Sequence, residues 1–337
     1  MLAHETQPNG CNWIDQLKSQ TFSWASLQFT MQTKEHSFLP PYKGSTLRGG
    51  FGHSFRKVCC TMQQQDCNSC MLNQSCAYAY IFETPKVAGN ALDHQAENLP
   101  HPFVIEPPAS KQTEFQTGDE FSIGLVLFGK AISFLPYFVF TIDQMGRMGL
   151  GKGRGKFELT AGFANEDVMG TSHMQIYDGG SQMLNSNFKE RQFSDLFTEA
   201  LKSDNQTISI ELATPTRILY KNGLVSEIPF DLFVRALLRR ISLLARIHCN
   251  SEWDLPYKDI IAAAGQSVRL VEHRTRWYDW ERYSNRQKTR MNMGGIVGTL
   301  VYEGELEPFL PLLILGQFTH IGKNTTFGLG KYIIMDN

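Results

Sequence analysis

The chain has 337 residues, 42% of them hydrophobic, with 23 Phe. That length and apolar content suit two medium domains, each with its own core. A net charge of −1 at pH 7 excludes a uniformly basic nucleic-acid coat, but leaves room for a local basic groove balanced by acidic surface.

In chain order, Met1–Gln20 lacks a basic-then-apolar signal pattern. Phe22–Thr33 alternates apolar and polar residues, as a half-buried strand does. Pro40-Pro41 breaks the chain, and Ser45 is placed to cap a helix running to about Cys59. Leu47, Phe51, Phe55 and Val58 share its apolar face, while His53 and Lys57 fall on the polar one. Tyr78–Phe82 reads as a short strand. Residues 85–119 hold five prolines and little pattern except Phe103–Glu106. Phe121–Phe128 is strand-like, a helix starts at Phe134, and Phe157–Leu159 is a strand. Residues 164–204 are polar, contain Gly179-Gly180, and read as a linker or irregular insertion. Thr207–Ala213 is then a strand, and Pro229 opens a helix to about His248. Val268–Trp277 and Ile296–Tyr302 form a long hairpin, a helix starts at Pro308, and Tyr332–Ile334 is the last strand. Pro311, Gly316 and Gln317 interrupt the apolar run Leu310–Phe318, so no membrane partner is expected.

Strand, helix, strand, strand, helix, strand is the ferredoxin-like order, and it occurs twice. The expected fold is α+β: two tandem ferredoxin-like domains. The first covers residues 1–163 with a Cys-rich insertion at 59–78, and the second covers residues 205–337. An internal repeat supports this duplication. Phe134-Leu135-Pro136 through Gly153-Arg154-Gly155-Lys156-Phe157 recurs 175 residues later, without a gap, as Phe309-Leu310-Pro311 through Gly328-Leu329-Gly330-Lys331-Tyr332. Each copy reads helix, glycine-rich loop, strand. Glycines there permit positive φ and the close approach of a ligand to the backbone. Arg147, Lys152, Arg154 and Lys156 surround the first loop, and Lys323 and Lys331 the second, so the expected ligand is a polyanion. Gly328 and Gly330 would offer it backbone N–H groups. Nucleotide hydrolysis is rejected, because its phosphate loops need a strand before the glycines and a helix after them.

Residues 266–290 hold Arg269, Arg274, Arg276, Arg282, Arg286, Arg290 and Lys288 against three acids. Trp277, Tyr278, Trp280 and Tyr283 interleave with them. Arginine forks phosphates and aromatic rings stack on unpaired bases, so the hairpin reads as a nucleic-acid contact. Arg235, Arg239 and Arg246 make a narrow stripe on the helix 229–248, which reads equally as a basic contact or a solvated face. Five of the seven cysteines lie between 59 and 76. With no export signal they fit a reducing cytoplasm, where metal binding is favoured over disulfides. Cys60, Cys67, Cys70 and Cys76 have C-x6-C-x2-C-x5-C spacing, which suits a structural zinc with no open position and no part in catalysis. Cys59 is an alternative to Cys60. His53 faces solvent one turn from Lys57, with Gly49 and Gly52 thinning that side and Tyr42, Lys43, Arg48 and Arg56 nearby. An imidazole there can move a proton near pH 7. His248, His273 and His320 also sit near basic residues.

Trp280-Glu281-Arg282-Tyr283-Ser284-Asn285-Arg286-Gln287, with Met291, Gly294-Gly295 and Gly298, resembles the C-terminal signature of the CRISPR-associated precursor-RNA-processing endoribonucleases. These belong to the repeat-associated mysterious protein superfamily. His320-Ile321-Gly322-Lys323 and Thr326-Phe327-Gly328-Leu329-Gly330 resemble that superfamily's glycine-rich loop, and Tyr42–Gly49 and Met145–Gly151 are similar to its bacterial branch. The resemblance implies tandem ferredoxin-like domains, binding of CRISPR repeat RNA and one cut per repeat. The cut would be metal-independent: the ribose 2′-OH attacks the adjacent phosphate, leaving a 2′,3′-cyclic phosphate and a 5′-OH. Some members place a His on the first helix with Tyr and Lys nearby, a pattern that His53, Tyr42 and Lys57 match. The alternative within the superfamily is a non-catalytic RNA-binding subunit of a CRISPR effector complex.

Overall fold

The structure is a computed structural model that describes residues 12–62, 66–84, 99–167, 170–200, 206–284 and 289–335. Five strands build most of the first sheet: β1 (Ser23–Thr33), β2 (Phe103–Glu106), β3 (Glu120–Phe128), β4 (Phe157–Asn165) and β5 (His173–Asp178). They are antiparallel in the order β2-β3-β1-β4-β5, with Met183–Leu184 beyond β5 and Arg191–Gln192 pairing with the start of β1. Two helices cover one face: α1 (Gly44–Cys59) and α2 (Leu135–Met148). Leu27, Phe29, Met31, Phe103, Leu125 and Leu127 point at them and meet Leu47, Phe51, Phe55, Phe138 and Ile142 in one core. Each such buried side chain contributes roughly 1.5–3 kcal/mol.

The second sheet has β6 (Thr207–Thr216), β7 (Val268–Tyr278), β8 (Gly295–Gly304) and β9 (Tyr332–Met335), in the order β7-β8-β6-β9. Its helices are α3 (Phe230–His248), α4 (Tyr257–Ser267) and α5 (Leu310–Thr319). Strands two, three, one and four of each unit therefore lie side by side in the same order, as a ferredoxin-like fold requires. The sequence repeat is the α2-to-β4 connection in one unit and the α5-to-β9 connection in the other.

The units stack sheet to helix. Trp24, Val104, Val126 and Phe128, on the other face of the first sheet, join the core formed by α3 and α5. The rings of Trp24 and Phe318 are 5.4 Å apart, and Trp253 Nε1 donates to Thr21 O at 3.1 Å. The layers run α1/α2, first sheet, α3/α5, second sheet.

Four expectations need correction. Residues 164–204 are not an irregular linker, because β5 and two short strands extend the first sheet and Phe193 and Leu196 reach the shared core. Tyr78–Phe82 is not a strand: Ala79–Glu83 winds into one wide helical turn that buries adjacent Ile81 and Phe82, and the second strand is Phe103–Glu106. Helix α4 was not foreseen. Ser45 lies inside α1, whose N-terminal flank is Lys43, a buried lysine donating to Ser110 O at 2.8 Å.

Candidate functional site

The second glycine loop lies between the domains. Thr325 through Gly330 are buried. Gly328 (φ +79°) sits where a Cβ would strike Pro107 and Ile105 O, and Gly330 (φ +72°) where it would strike Ile321 O. Their N–H groups are already used: Gly328 N donates to Thr325 O at 2.8 Å and Gly330 N to Pro215 O at 3.1 Å. The expectation that Gly328 and Gly330 meet phosphate is thus corrected, since both glycines exist for close backbone packing. Lys331 is also committed, with Nζ 2.8 Å from Glu106 Oε2. His320 Nδ1 faces Leu329 O at 3.0 Å and its Nε2 faces Glu106 Oε1 at 2.9 Å. Both ring nitrogens meet oxygens, so a proton lies on the Nε2–Oε1 line. Burial pulls the imidazole pKa down and Glu106 offsets this. Burial alone would raise the Glu106 carboxyl, but Lys331 and His320 together hold it down at about 2. Glu106 was missed at the sequence level because its partners are more than 200 residues away.

Tyr42 belongs to this interface. Its hydroxyl donates to Phe327 O at 2.7 Å, and its ring lies 4.7 Å from that of Trp280. Burial pushes its pKa far up. It sits before the first turn of α1, whereas His53 lies past the middle of that helix, roughly 14 Å away along the axis at 1.5 Å per residue. The structure therefore separates Tyr42 from His53.

The first glycine loop faces solvent. Gly149, Gly151, Gly153 and Arg154 have φ of +80°, +71°, +82° and +56°. The turn is pinned by Leu150 N to Gly155 O at 2.9 Å and Lys152 N to Phe38 O at 3.1 Å. Lys152, Gly153 and Arg154 are exposed at its tip. α1 runs alongside: a Cβ on Gly50 would lie 2.6 Å from Leu150 Cδ2, and Ser54 Oγ reaches Met148 Sδ at 3.5 Å. Gly50, His53, Ser54 and Lys57 are spaced by three and four residues, so they form one stripe next to the loop. His53 and Lys57 are exposed on it. Partial burial, then Lys57, then Arg154 lower the His53 pKa below the ordinary 6.5, so the imidazole is neutral at pH 7. Arg147, at the end of α2, is exposed and pairs with Asp143 at 2.8 Å.

Elsewhere the basic residues are spread out. Arg274 and Arg276 are exposed on the edge strand β7, Arg274 paired with Glu272 at 2.8 Å and Arg276 over the Tyr278 ring at 5.9 Å. Arg235 and Arg239 are exposed on α3, Arg235 over the Tyr220 ring at 5.9 Å, and Lys323 is exposed at the start of the second loop. Arg286 lies outside the described residues, as does the Arg282 side chain. His248 is buried, its Nε2 2.8 Å from Pro100 O and its Nδ1 3.2 Å from Tyr80 OH.

Cys59, Cys60, Cys67, Cys70 and Cys76 are free and half-buried. Among the described residues, no three His, Cys, Asp or Glu side chains gather closely enough to hold a metal ion. Cys60, Cys67, Cys70 and Cys76 as placed therefore do not fit the four-thiolate site. Cys59, Cys67 and Cys76 instead pack against the first core, and burial pushes the Cys59 thiol up to about 12, which favours the protonated form. Among the described residues, no helix is long and apolar enough to cross a membrane.

Residues 210–332 match the family model described as CRISPR-associated endoribonuclease Cas6, and residues 22–189 match one described as an N-terminal domain. An uncharacterized protein of Archaeoglobus fulgidus is 22% identical over 306 residues, covering 88% of this chain and 92% of that protein. Among solved structures, a chain of a partial Cas6-RT-Cas1–Cas2 complex has a similar fold, with TM-score 0.60 and 12% identity over 95% of this chain. The chain spans 47% of that longer one. Thermus thermophilus Cas6 is similar with TM-score 0.52 and 11% identity, over 93% of this chain and 99% of that one. Residues 210–332, the C-terminal domain, thus match the Cas6 endoribonuclease model, and the tandem ferredoxin-like architecture is similar to that of the solved Cas6 structures.

Proposed function

We propose that this protein is an endoribonuclease that cuts CRISPR precursor RNA within its repeats, by a metal-independent attack of the ribose 2′-OH. One observation carries the reading: an exposed His53 held beside Lys57 and the cationic turn Lys152–Arg154. A neutral imidazole accepts the 2′-OH proton as the 2′-oxygen bonds to phosphorus. The bond from phosphorus to the 5′-oxygen breaks, and the Lys57 ammonium supplies that oxygen's proton. The products are a 2′,3′-cyclic phosphate and a 5′-OH, with no net change in charge. Of the rival histidines, His248 and His320 are buried and occupied, and His273 lies on β7 opposite Leu300, on no glycine loop. Arg274 and Arg276 on the hairpin, Arg235 and Arg239 on α3, and Lys323 extend the RNA path as phosphate contacts.

The test is single-turnover cleavage of repeat RNA in EDTA. His53→Ala should slow it by about 10²-fold or more while RNA affinity changes little. A substrate with 2′-deoxy at the scissile nucleotide should not be cut, and its cleavage at the normal rate overturns the mechanism. Tight binding of repeat RNA with no cut by the native protein would instead mark a non-catalytic RNA-binding subunit of an effector complex.

A further inference from the structure

We propose that Arg154 is a catalytic residue of this site, its guanidinium gripping the scissile phosphate and the negative charge that builds on it during the attack. The proposal rests on the reading of His53 and Lys57 as the cleavage centre, and adds a group from a different element.

The first argument is placement. α1 and the start of the loop touch at Gly50–Leu150 and Ser54–Met148, on either side of His53 in sequence. The loop then turns outward through Gly151 and Gly153 and presents Arg154 at the exposed tip. Loss of the Lys57 and Arg154 charges would let the His53 pKa rise, so both cations lie within electrostatic range of the ring.

The second argument is backbone cost. Arg154 adopts φ +56°, a conformation that glycine takes freely and a long L side chain does not. The three nearby glycines are placed where they relieve such strain, yet this position carries arginine. Strain retained at an exposed tip points to a side chain that must be delivered in one direction.

The third argument is unbalanced charge. Arg147 has Asp143 and Lys331 has Glu106. Among the described residues, no carboxylate pairs with Lys57, Lys152 or Arg154. Two of these cations, Lys57 and Arg154, act on the one histidine and repel one another until an anion arrives, and a phosphodiester is an anion of the right size. A guanidinium can bond both non-bridging oxygens at once, which an ammonium cannot. Arg154 moves no proton: the 2′-OH proton goes to His53 and the 5′-oxygen takes one from Lys57. Its work is to hold the oxygens whose charge rises as phosphorus becomes five-coordinate.

Arg154→Ala in the full chain should slow single-turnover cleavage by about 10²- to 10³-fold, the usual loss for one donor to a developing oxyanion. Repeat-RNA affinity should fall only a few-fold. Arg154→Lys should recover a minority of the lost rate. Arg154→Gly, which fits the left-handed backbone, should fold at least as well as the native chain and be as slow as Arg154→Ala, separating the side chain from loop stability. In the RNA-free protein, either truncation should raise the His53 titration midpoint read by NMR toward 6.5. If Arg154→Gly cuts at the native rate while His53→Ala is inactive, the cleavage centre stands and Arg154 has no part in it. If both variants cut normally, the cleavage centre itself lies elsewhere.

Discussion

The two copies of the helix–glycine loop–strand repeat have the same length and order, but opposite surroundings. Loop 149–155 shows its cations to solvent beside His53, while residues 325–330 of the second loop are buried against the first domain beside Ile105, Glu106, Pro107, Tyr42 and Arg48. Matching sequence therefore did not mean matching role. Gly149, Gly151 and Gly155 pack closely at the base of the first loop while Gly153 meets open space at its tip, whereas the equivalent Gly328 packs against the first domain.

The largest contrast should come from valine at equivalent glycines. Gly328→Val combines a positive φ with collision against Pro107 and Ile105 O, and should cost about 3 kcal/mol or more, or prevent folding. Gly153→Val meets open space and should cost only the backbone penalty, about 1–2 kcal/mol. Equal melting temperatures for the two variants would break the comparison.

Next comes acid. The Glu106 carboxyl falls from 4.5 to about 2 in the fold. A depressed acid stabilises the protein above its unfolded value and loses that stabilisation as pH falls. The contribution is complete above about pH 4.5 and fades toward pH 2, amounting to about 3 kcal/mol. Glu106→Gln should be less stable at neutral pH and show a flatter stability profile across that window. An unchanged profile would mean that another group seals the second loop.

The smallest effects belong to the outlying arginines. Arg274→Ala and Arg276→Ala should each weaken repeat-RNA binding several-fold and reduce the slope of log affinity against log salt by about one. If neither changes the slope, the RNA path does not include β7.

Much of this was legible because the two ferredoxin-like units keep their alternation and the repeat keeps its length. The apolar faces of α1 and β1, the hairpin, and the exposure of His53 all follow from period alone. The residues that escaped did so for local reasons. His173–Asp178 buries only Ile176 and Tyr177, too few to print an alternating pattern at a sheet edge. Tyr78–Phe82 has strand-like composition, yet packing two adjacent side chains inward requires a helical turn. Leu310–Leu315 is apolar almost throughout, which marks a helix covered on both sides, and the Ala-rich α4 follows Pro256 without a capping side chain. Tyr42 stood near His53 in sequence, but nine helical residues carried the two apart. No pattern within the glycine loops distinguishes the one that Glu106 will fasten.

The stacking of the units has a consequence for assembly. One unit contributes its sheet to their contact and the other its helices, so the two surfaces are different. A twofold pair of identical single-unit molecules would have to bury the same patch on each, and could not form this contact. Free copies using it would add head to tail without limit. Joining two diverged units in one chain supplies each surface once and ends the stack at two.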